Sequence, residues 1–339
     1  MSATSQVTTF SDLYTDLENR ARVVTGVTAT ENQAKRYINI ALHDMHISWG
    51  EHFWWAHREA FLRTHAPYTT GTVTLTNTTT ITGASTEWNT AGSFAENNMR
   101  AGGKFTVDGI TVYEIDAIAS DTSATLTTRY VGSPTTGGTT YTYFEDDYEL
   151  DGDFLRPLDL SIFSSASEIP LIGPKEFRRR FPRPGSIRRK PQVATIYAKN
   201  PSSAVDVRTR VRLWPAPDDE YLIPYSFITN KFAVGTSGTL ATDLSSDLDE
   251  PIVPLQYRHV IVLHALWHWF RDKQDDDRAS SVKAERDELM TRIVGDTFIG
   301  SDRPVIRPRV GPIKSRAKRP WGGTGRYWIT GEAWDELRQ

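Results

Sequence analysis

His264 and His268 stand four residues apart in the run Leu255-Gln-Tyr-Arg-His-Val-Ile-Val-Leu-His-Ala-Leu-Trp-His-Trp-Phe-Arg-Asp, which also holds His259. On a helix that spacing sets both imidazoles on one face, as metal ligands stand. The glutamate that makes His-Glu-x-x-His a metalloprotease signature is missing, because the string is His264-Ala-Leu-Trp-His268. Packing or interhelical hydrogen bonding is therefore the expected role of these rings, with no metal and no cofactor. Ser, His and Asp are plentiful, but no Gly-x-Ser-x-Gly elbow is present and no catalytic triad is assigned. The chain has no cysteine, which removes disulfides, thiolate nucleophiles and Cys-based metal sites. The acidic run Glu145-Asp-Asp-Tyr-Glu-Leu-Asp-Gly-Asp153 could hold a divalent cation, yet it lacks the order of an EF-hand loop. A solvated linker or an acidic channel lining is the expected reading.

Basic residues gather in two places. The first, Lys175 to Lys190, mixes arginine with Phe177 and Phe181; Arg178, Arg179, Arg180, Arg183, Arg188 and Arg189 could meet nucleic-acid phosphates or an acidic neighbouring subunit. A short helix and loop docking on a subunit is favoured. The second holds Arg303, Arg307, Arg309, Lys314, Arg316, Lys318 and Arg319 among four prolines, which forbid a continuous helix and imply an extended arm. Trp321, Tyr327, Trp328 and Trp334 follow it, and so much aromatic surface implies docking on a partner.

The elements that must position these groups are legible from periodicity. Thr9-Phe-Ser-Asp-Leu-Tyr opens a helix with a cap expected at Ser11, Leu13, Leu17, Ala21 and Val24 on one face, and an end near Gly26. A second helix is expected to be capped by Thr30 with Gln33 completing a capping box, and to carry Ala34, Ile38, Ala41, Leu42, Met45 and Trp49 as its apolar stripe. Two such helices need a partner, and the helical pattern from 255 to 294, broken at Asp275-Asp-Asp277, is the one available. The intervening sequence then reads as inserted material.

That material is β-rich. Tyr68 to Phe144 alternates with period two in Thr72-Val-Thr-Leu-Thr-Asn, Thr80-Ile-Thr-Gly, Lys104 to Ile115 and Ala124-Thr-Leu-Thr-Thr, with turn signals such as Val107-Asp-Gly-Ile. A small antiparallel barrel or sandwich is expected. A second β region from Tyr148 to Asn230 centres on Gln192 to Asn200 and on Arg210 to Ile228, divided by a proline-rich turn.

Several of these strings resemble, in consistent order, the head-to-tail adaptors of short-tailed and related bacteriophages. Gly83-Ala-Ser-Thr-Glu-Trp88, the stretch Tyr113 to Leu126 and Arg129-Tyr130 resemble a small β module of phage structural proteins. Leu213 to Tyr225, with its Pro-x-Pro-Asp, and Tyr257-x-His259 ahead of an apolar helix, an acidic break and a Glu/Arg-rich helix resemble the adaptor families themselves. The resemblance implies a virion protein at the head-tail junction, made in the host bacterial cytoplasm. It implies a dodecameric ring under the portal protein, enclosing double-stranded DNA without reading its sequence. A tail nozzle or tail-tube protein would sit below, with tail fibres possible on the β insert. Residues 303–339 would bind the portal through the basic and aromatic residues named above.

The expectation is thus an α+β chain, not an enzyme. Residues 1–66 and 251–298 form a helical domain, 67–145 an inserted small β-barrel or sandwich, 146–250 a β-hairpin region with the basic loop, and 299–339 an extended docking arm. A carbohydrate-binding tail module, using aromatics of the insert, and a cell-wall hydrolase, which would need paired carboxylates, are the alternatives. No run of about eighteen apolar residues and no signal peptide is seen, so no membrane partner is expected. The net charge of −3 is near neutral, and a passage lined by weakly acidic groups would not retain DNA.

Overall fold

The computed structural model describes residues 7–92, 95–162, 167–182, 187–199 and 209–297. It is an α+β protein in which both ends of the described chain build one helical unit. The helices are α1 (Phe10–Ala21), α2 (Thr28–Trp49), α3 (Pro174–Arg180), α4 (His259–Asp272) and α5 (Asp276–Thr297).

Leu13, Leu17 and Ala21 of α1 and Ala34, Ile38, Ala41, Leu42 and Met45 of α2 share a core with Val260, Ile261, Ala265, Trp269, Met290 and Ile293 of α4 and α5. The apolar helix α4 lies at the centre, buried on most of its surface, as its nearly continuous hydrophobic sequence demands. Two cap expectations need correction. α1 is capped by Thr9, in a reciprocal box with Asp12, not by Ser11; Val24 lies past the helix end and is exposed. α2 begins at Thr28, so Thr30 is already inside the first turn and Val27 supplies no side-chain cap. A loop from 243 to 249 clasps α2 instead: Asn39 exchanges hydrogen bonds of 3.0 Å with the Leu244 backbone in both directions, and Lys35 Nζ reaches Asp247 Oδ1 at 2.8 Å.

Seventeen strands are numbered in chain order among the described residues. β1 (His57–Arg63) pairs with β14 (Leu222–Thr229), which pairs with β10 (Phe154–Ile162), which pairs with β11 (Ser167–Glu168). This is a departure from the expected helical segment 1–66, whose last residues form an edge strand with Leu62 facing in and Phe61 facing out. β9 (Asp147–Glu149), β12 (Val193–Ala198) and β13 (Thr209–Trp214) form a second antiparallel sheet with the order β12-β13-β9. The two sheets enclose Leu62, Tyr148, Phe154, Val211, Leu213, Ile223, Tyr225 and Phe227. β14 continues into the helical core through Ile228 and Phe232, which locks this β base to the helices. A small sheet of β15 (Ala233–Val234), β16 (Leu240–Ala241) and β17 (Glu250–Pro251) edges the helical unit.

The inserted module is one curled antiparallel sheet of seven strands: β2 (Thr72–Leu75), β3 (Thr80–Ala84), β4 (Lys104–Thr106), β5 (Tyr113–Ser120), β6 (Ser123–Leu126), β7 (Thr135–Thr139) and β8 (Thr142–Phe144), in the order β7-β2-β3-β6-β5-β4-β8. Its inner face packs Val73, Leu75, Ile81, Phe105, Ile115, Leu126 and Tyr143 around Trp88, which is fully buried and donates from Nε1 to Tyr141 Oη at 2.8 Å. The chain enters and leaves this module side by side, because Tyr68 and Tyr143 exchange both backbone hydrogen bonds at 2.9 Å.

Candidate functional site

The first basic segment is mounted by its aromatics. Pro174 starts α3, where its missing N–H costs nothing. Phe177 is buried, and Phe181 stacks on Trp214 with ring centroids 3.9 Å apart. The Trp214–Pro215 peptide is cis. So anchored, α3 turns Arg178, Arg179 and Arg180 to solvent, with Arg180 paired to Glu176 at 2.5 Å. Arg189 is exposed as well, its amide tied to the Ala216 carbonyl. Arg188 departs from the expected exposed loop: it is half-buried, its guanidinium lies 5.2 Å from the Phe144 ring centre, and burial lowers its pKa. Arg188 therefore packs the base against the end of β8 rather than offering charge to a partner. Arg183 and the arm, with Arg303, Arg307, Arg309, Lys314, Arg316, Lys318, Arg319, Trp321, Tyr327, Trp328 and Trp334, lie outside the described residues.

The acidic run departs from the solvated linker or channel lining expected of it in its first three residues, while Glu149 and Asp151 are exposed. Glu145, Asp146 and Asp147 are buried at the neck between module and base. Glu145 accepts from Arg100 Nε at 2.8 Å and from the Tyr143 hydroxyl. Asp147 accepts from Arg210 Nε at 2.8 Å and from the Tyr197 hydroxyl. Asp146 stands 3.6 Å from Arg212 Nε, and burial raises its pKa against the pull of Arg212 and Lys104. Lys104 and Lys199, from module and base, both donate to Glu114 at 2.7 Å. A cleft of about 520 Å³ opens beside this neck, lined by His65, Glu96, Arg100, Glu145, Asp147, Tyr148, Glu149 and Arg210.

Every carboxylate of that cleft already has a cation: Arg100 lies 2.9 Å from Glu96 and 2.8 Å from Glu145, and Arg210 lies 2.8 Å from Asp147 and 3.6 Å from Glu149. These ion pairs tie the carboxylates of the cleft to arginines, whereas the acid-base pair of a glycoside hydrolase presents two carboxyl groups to its substrate. The described aromatics of the inserted module that a glycan would stack on, Trp88, Phe105, Tyr113, Tyr130, Tyr141 and Tyr143, face its core.

The three α4 histidines separate. His259 is half-buried near the helix start, and burial lowers its pKa. His264 and His268 share a face, as their spacing requires, with their rings parallel to within 9°. His268 Nε2 lies 3.0 Å from Asp44 Oδ2 of α2, the interhelical hydrogen bond expected of one of these rings. Burial, then Arg286 and His268, push His264 down to about 3, so it is a neutral imidazole at ordinary pH. Asp44 carried no signal in the sequence, because its partners come from the far end of the chain.

Tyr257 and Arg258 of the Tyr-x-His string latch the start of α4 to the N-terminal part of the helical unit. Tyr257 stacks on Trp55 at 5.7 Å. Arg258, the residue between, is buried and donates to the Val253 carbonyl at 2.9 Å, to the Pro251 carbonyl at 3.2 Å, to Glu250 Oε2 at 2.9 Å and to the Thr8 carbonyl. Neither models of known families nor curated proteins give a match to this chain.

Proposed function

We propose that the chain is a head-to-tail adaptor of a tailed bacteriophage, a structural ring subunit that binds the portal and continues its DNA channel. The observation that carries this reading is the order of parts. A helical unit closes from both ends of the described chain around α4, while the β base and the curled β module hang from it as insertions. That order, with the Pro-x-Pro-Asp turn and the Tyr257-x-His259 latch ahead of α4, is what the resemblance to adaptors rests on.

The function is assembly rather than turnover. A helical unit latched at its seam is a rigid block suited to repetition around a ring, and a heterologous interface of that kind can nucleate on a preformed portal. The exposed Arg178, Arg179 and Arg180 would steer a neighbouring subunit or the DNA, and the basic, aromatic arm from 303 to 339 would grip the portal. The curled module would be the platform for a nozzle, tail-tube or fibre partner. No helix among the described residues is long and apolar enough to cross a membrane.

Electron microscopy of the purified chain, alone and with portal rings of the same virus, is the test. Rings are expected only with portal, and a chain ending at residue 302 is expected to keep its circular dichroism spectrum while losing the portal. Portal binding that survives this truncation would overturn the role of the arm. No association of the full chain under any tested condition would overturn the adaptor reading.

A further inference from the structure

Asp44 on α2 and His264 and His268 on α4 bring one carboxylate oxygen and two imidazole nitrogens within 4.8 Å of one another. His268 Nε2 is 3.0 Å and His264 Nε2 is 3.9 Å from the same atom, Asp44 Oδ2. Metal–ligand bonds of about 2.0–2.2 Å place neighbouring donors of a tetrahedral ion roughly 3.3–3.5 Å apart, so these separations bracket a shared cation.

A hydrogen-bonded Asp-His pair accounts for half of the arrangement. It leaves His264 unexplained. That ring is 2% exposed, and its Nε2, 3.9 Å from Asp44 Oδ2, is beyond hydrogen-bond reach of the carboxylate it faces. Aromatics fix both rings where they are: Trp49 and Trp267 lie 6.2 and 5.6 Å from His264, and Tyr37 stacks parallel to His268 at 6.4 Å. The positive neighbour, Arg286, is held by Asp287 at 2.6 Å and lies over Trp267, so its charge is partly offset toward an incoming ion. The Asp44 side chain is 46% exposed, which gives an entry path and room for a water ligand.

We propose that Asp44, His264 and His268 form a binding site for a divalent transition metal of the zinc class, which ties α2 to α4 across the helical core. Two imidazoles and one carboxylate suit Zn²⁺, Co²⁺ or Ni²⁺ and disfavour Mg²⁺ and Ca²⁺, which take oxygen ligands. Three protein ligands leave one position for water.

The test is equilibrium dialysis of the full chain against Zn²⁺ with elemental analysis, with Co²⁺ absorption as the report on coordination. One Zn²⁺ per chain is expected, with a thermal midpoint that rises with added zinc. Asp44→Asn and His268→Gln should lose the ion and the zinc-dependent rise, while His43→Gln, at the adjacent half-buried position whose ring pairs with Asp243 instead, keeps both. His268→Cys, which restores a zinc ligand at the same place, should bind again and thereby separates ligand loss from misfolding. Absence of zinc from the full chain, or the same stoichiometry in Asp44→Asn and His268→Gln, would overturn the site.

Discussion

Arg258 sits at the seam where the two ends of the described chain meet, and its guanidinium fork is nearly used up there: three carbonyls and one carboxylate accept from it. A lysine cannot reproduce a planar fork, and alanine would take the donor from all four acceptors, of which Pro251 and Val253 are buried residues. Arg258→Ala is expected to cost about 2 kcal/mol, in the range for leaving buried hydrogen-bond acceptors unpaired. Arg258→Lys should recover only a minor part. Chemical denaturation with matched m-values checks this, and an alanine variant within about 0.5 kcal/mol of the parent would show that the latch is dispensable. The residue was visible in the sequence only as the unnamed middle of Tyr257-x-His259. Its function there depends on Thr8 and Glu250, and long-range partners leave no local pattern to read.

At the scale of elements, periodicity served well where one face of an element is buried. The stripe of α1 up to Ala21, that of α2, and the alternation of β2 and β3 appear in the structure as read, since burial of one face imposes period 3.6 or period two whatever the fold around it. Caps were read less well, because Ser, Thr and Asp crowd both helix starts and a capping residue is chosen by chain entry angle as much as by identity. The first three residues of the acidic run misled for a different reason: composition said solvent, while Arg100, Arg210 and Arg212, distant in sequence, made burial of Glu145, Asp146 and Asp147 affordable. Turn chemistry is local, and the Val107-Asp-Gly-Ile turn came through. Asp108 Oδ1 accepts the Ile110 and Thr111 amides at 2.9 and 2.7 Å, Thr111 Oγ1 donates to Oδ2 at 2.9 Å, and Gly109 takes a positive φ of 70°. Those backbone amides, Ile110 first and Thr111 second, hold the Asp108 pKa down to about 2. The folded carboxyl is thus more acidic than the unfolded one, whose pKa is about 3.9, so its contribution is complete above that value and is lost as pH falls through about 2. In an NMR titration the Ile110 and Thr111 amide shifts should move with a midpoint near pH 2, and Asp108→Asn should abolish that step. A midpoint near 4 would mean that the turn does not hold its carboxylate.

For the molecule as a whole, the neck at Tyr68 and Tyr143 decides whether the curled module is a part of the fold or a passenger on it. Entry and exit strands exchange backbone hydrogen bonds, so a short turn can bridge them at small closure cost. The module also has its own closed core around Trp88, separate from those of the base and the helices. Against excision stand the cross-neck contacts: Arg100 to Glu145, and Lys199 to Glu114. Removing residues 69–142 in favour of a Gly-Ser turn takes Arg100 away, but it also opens Glu145 to water, and a resolvated carboxylate no longer needs its partner. The expected result is therefore a chain with its helical circular dichroism intact and a single cooperative unfolding transition, destabilised by only about 1–3 kcal/mol. A collapse of the helical signal would show instead that base and helices depend on the module to fold. If the adaptor reading is right, the shortened chain should still ring the portal while losing whatever tail part the module carries, because the portal arm and the helical block lie outside the excised segment.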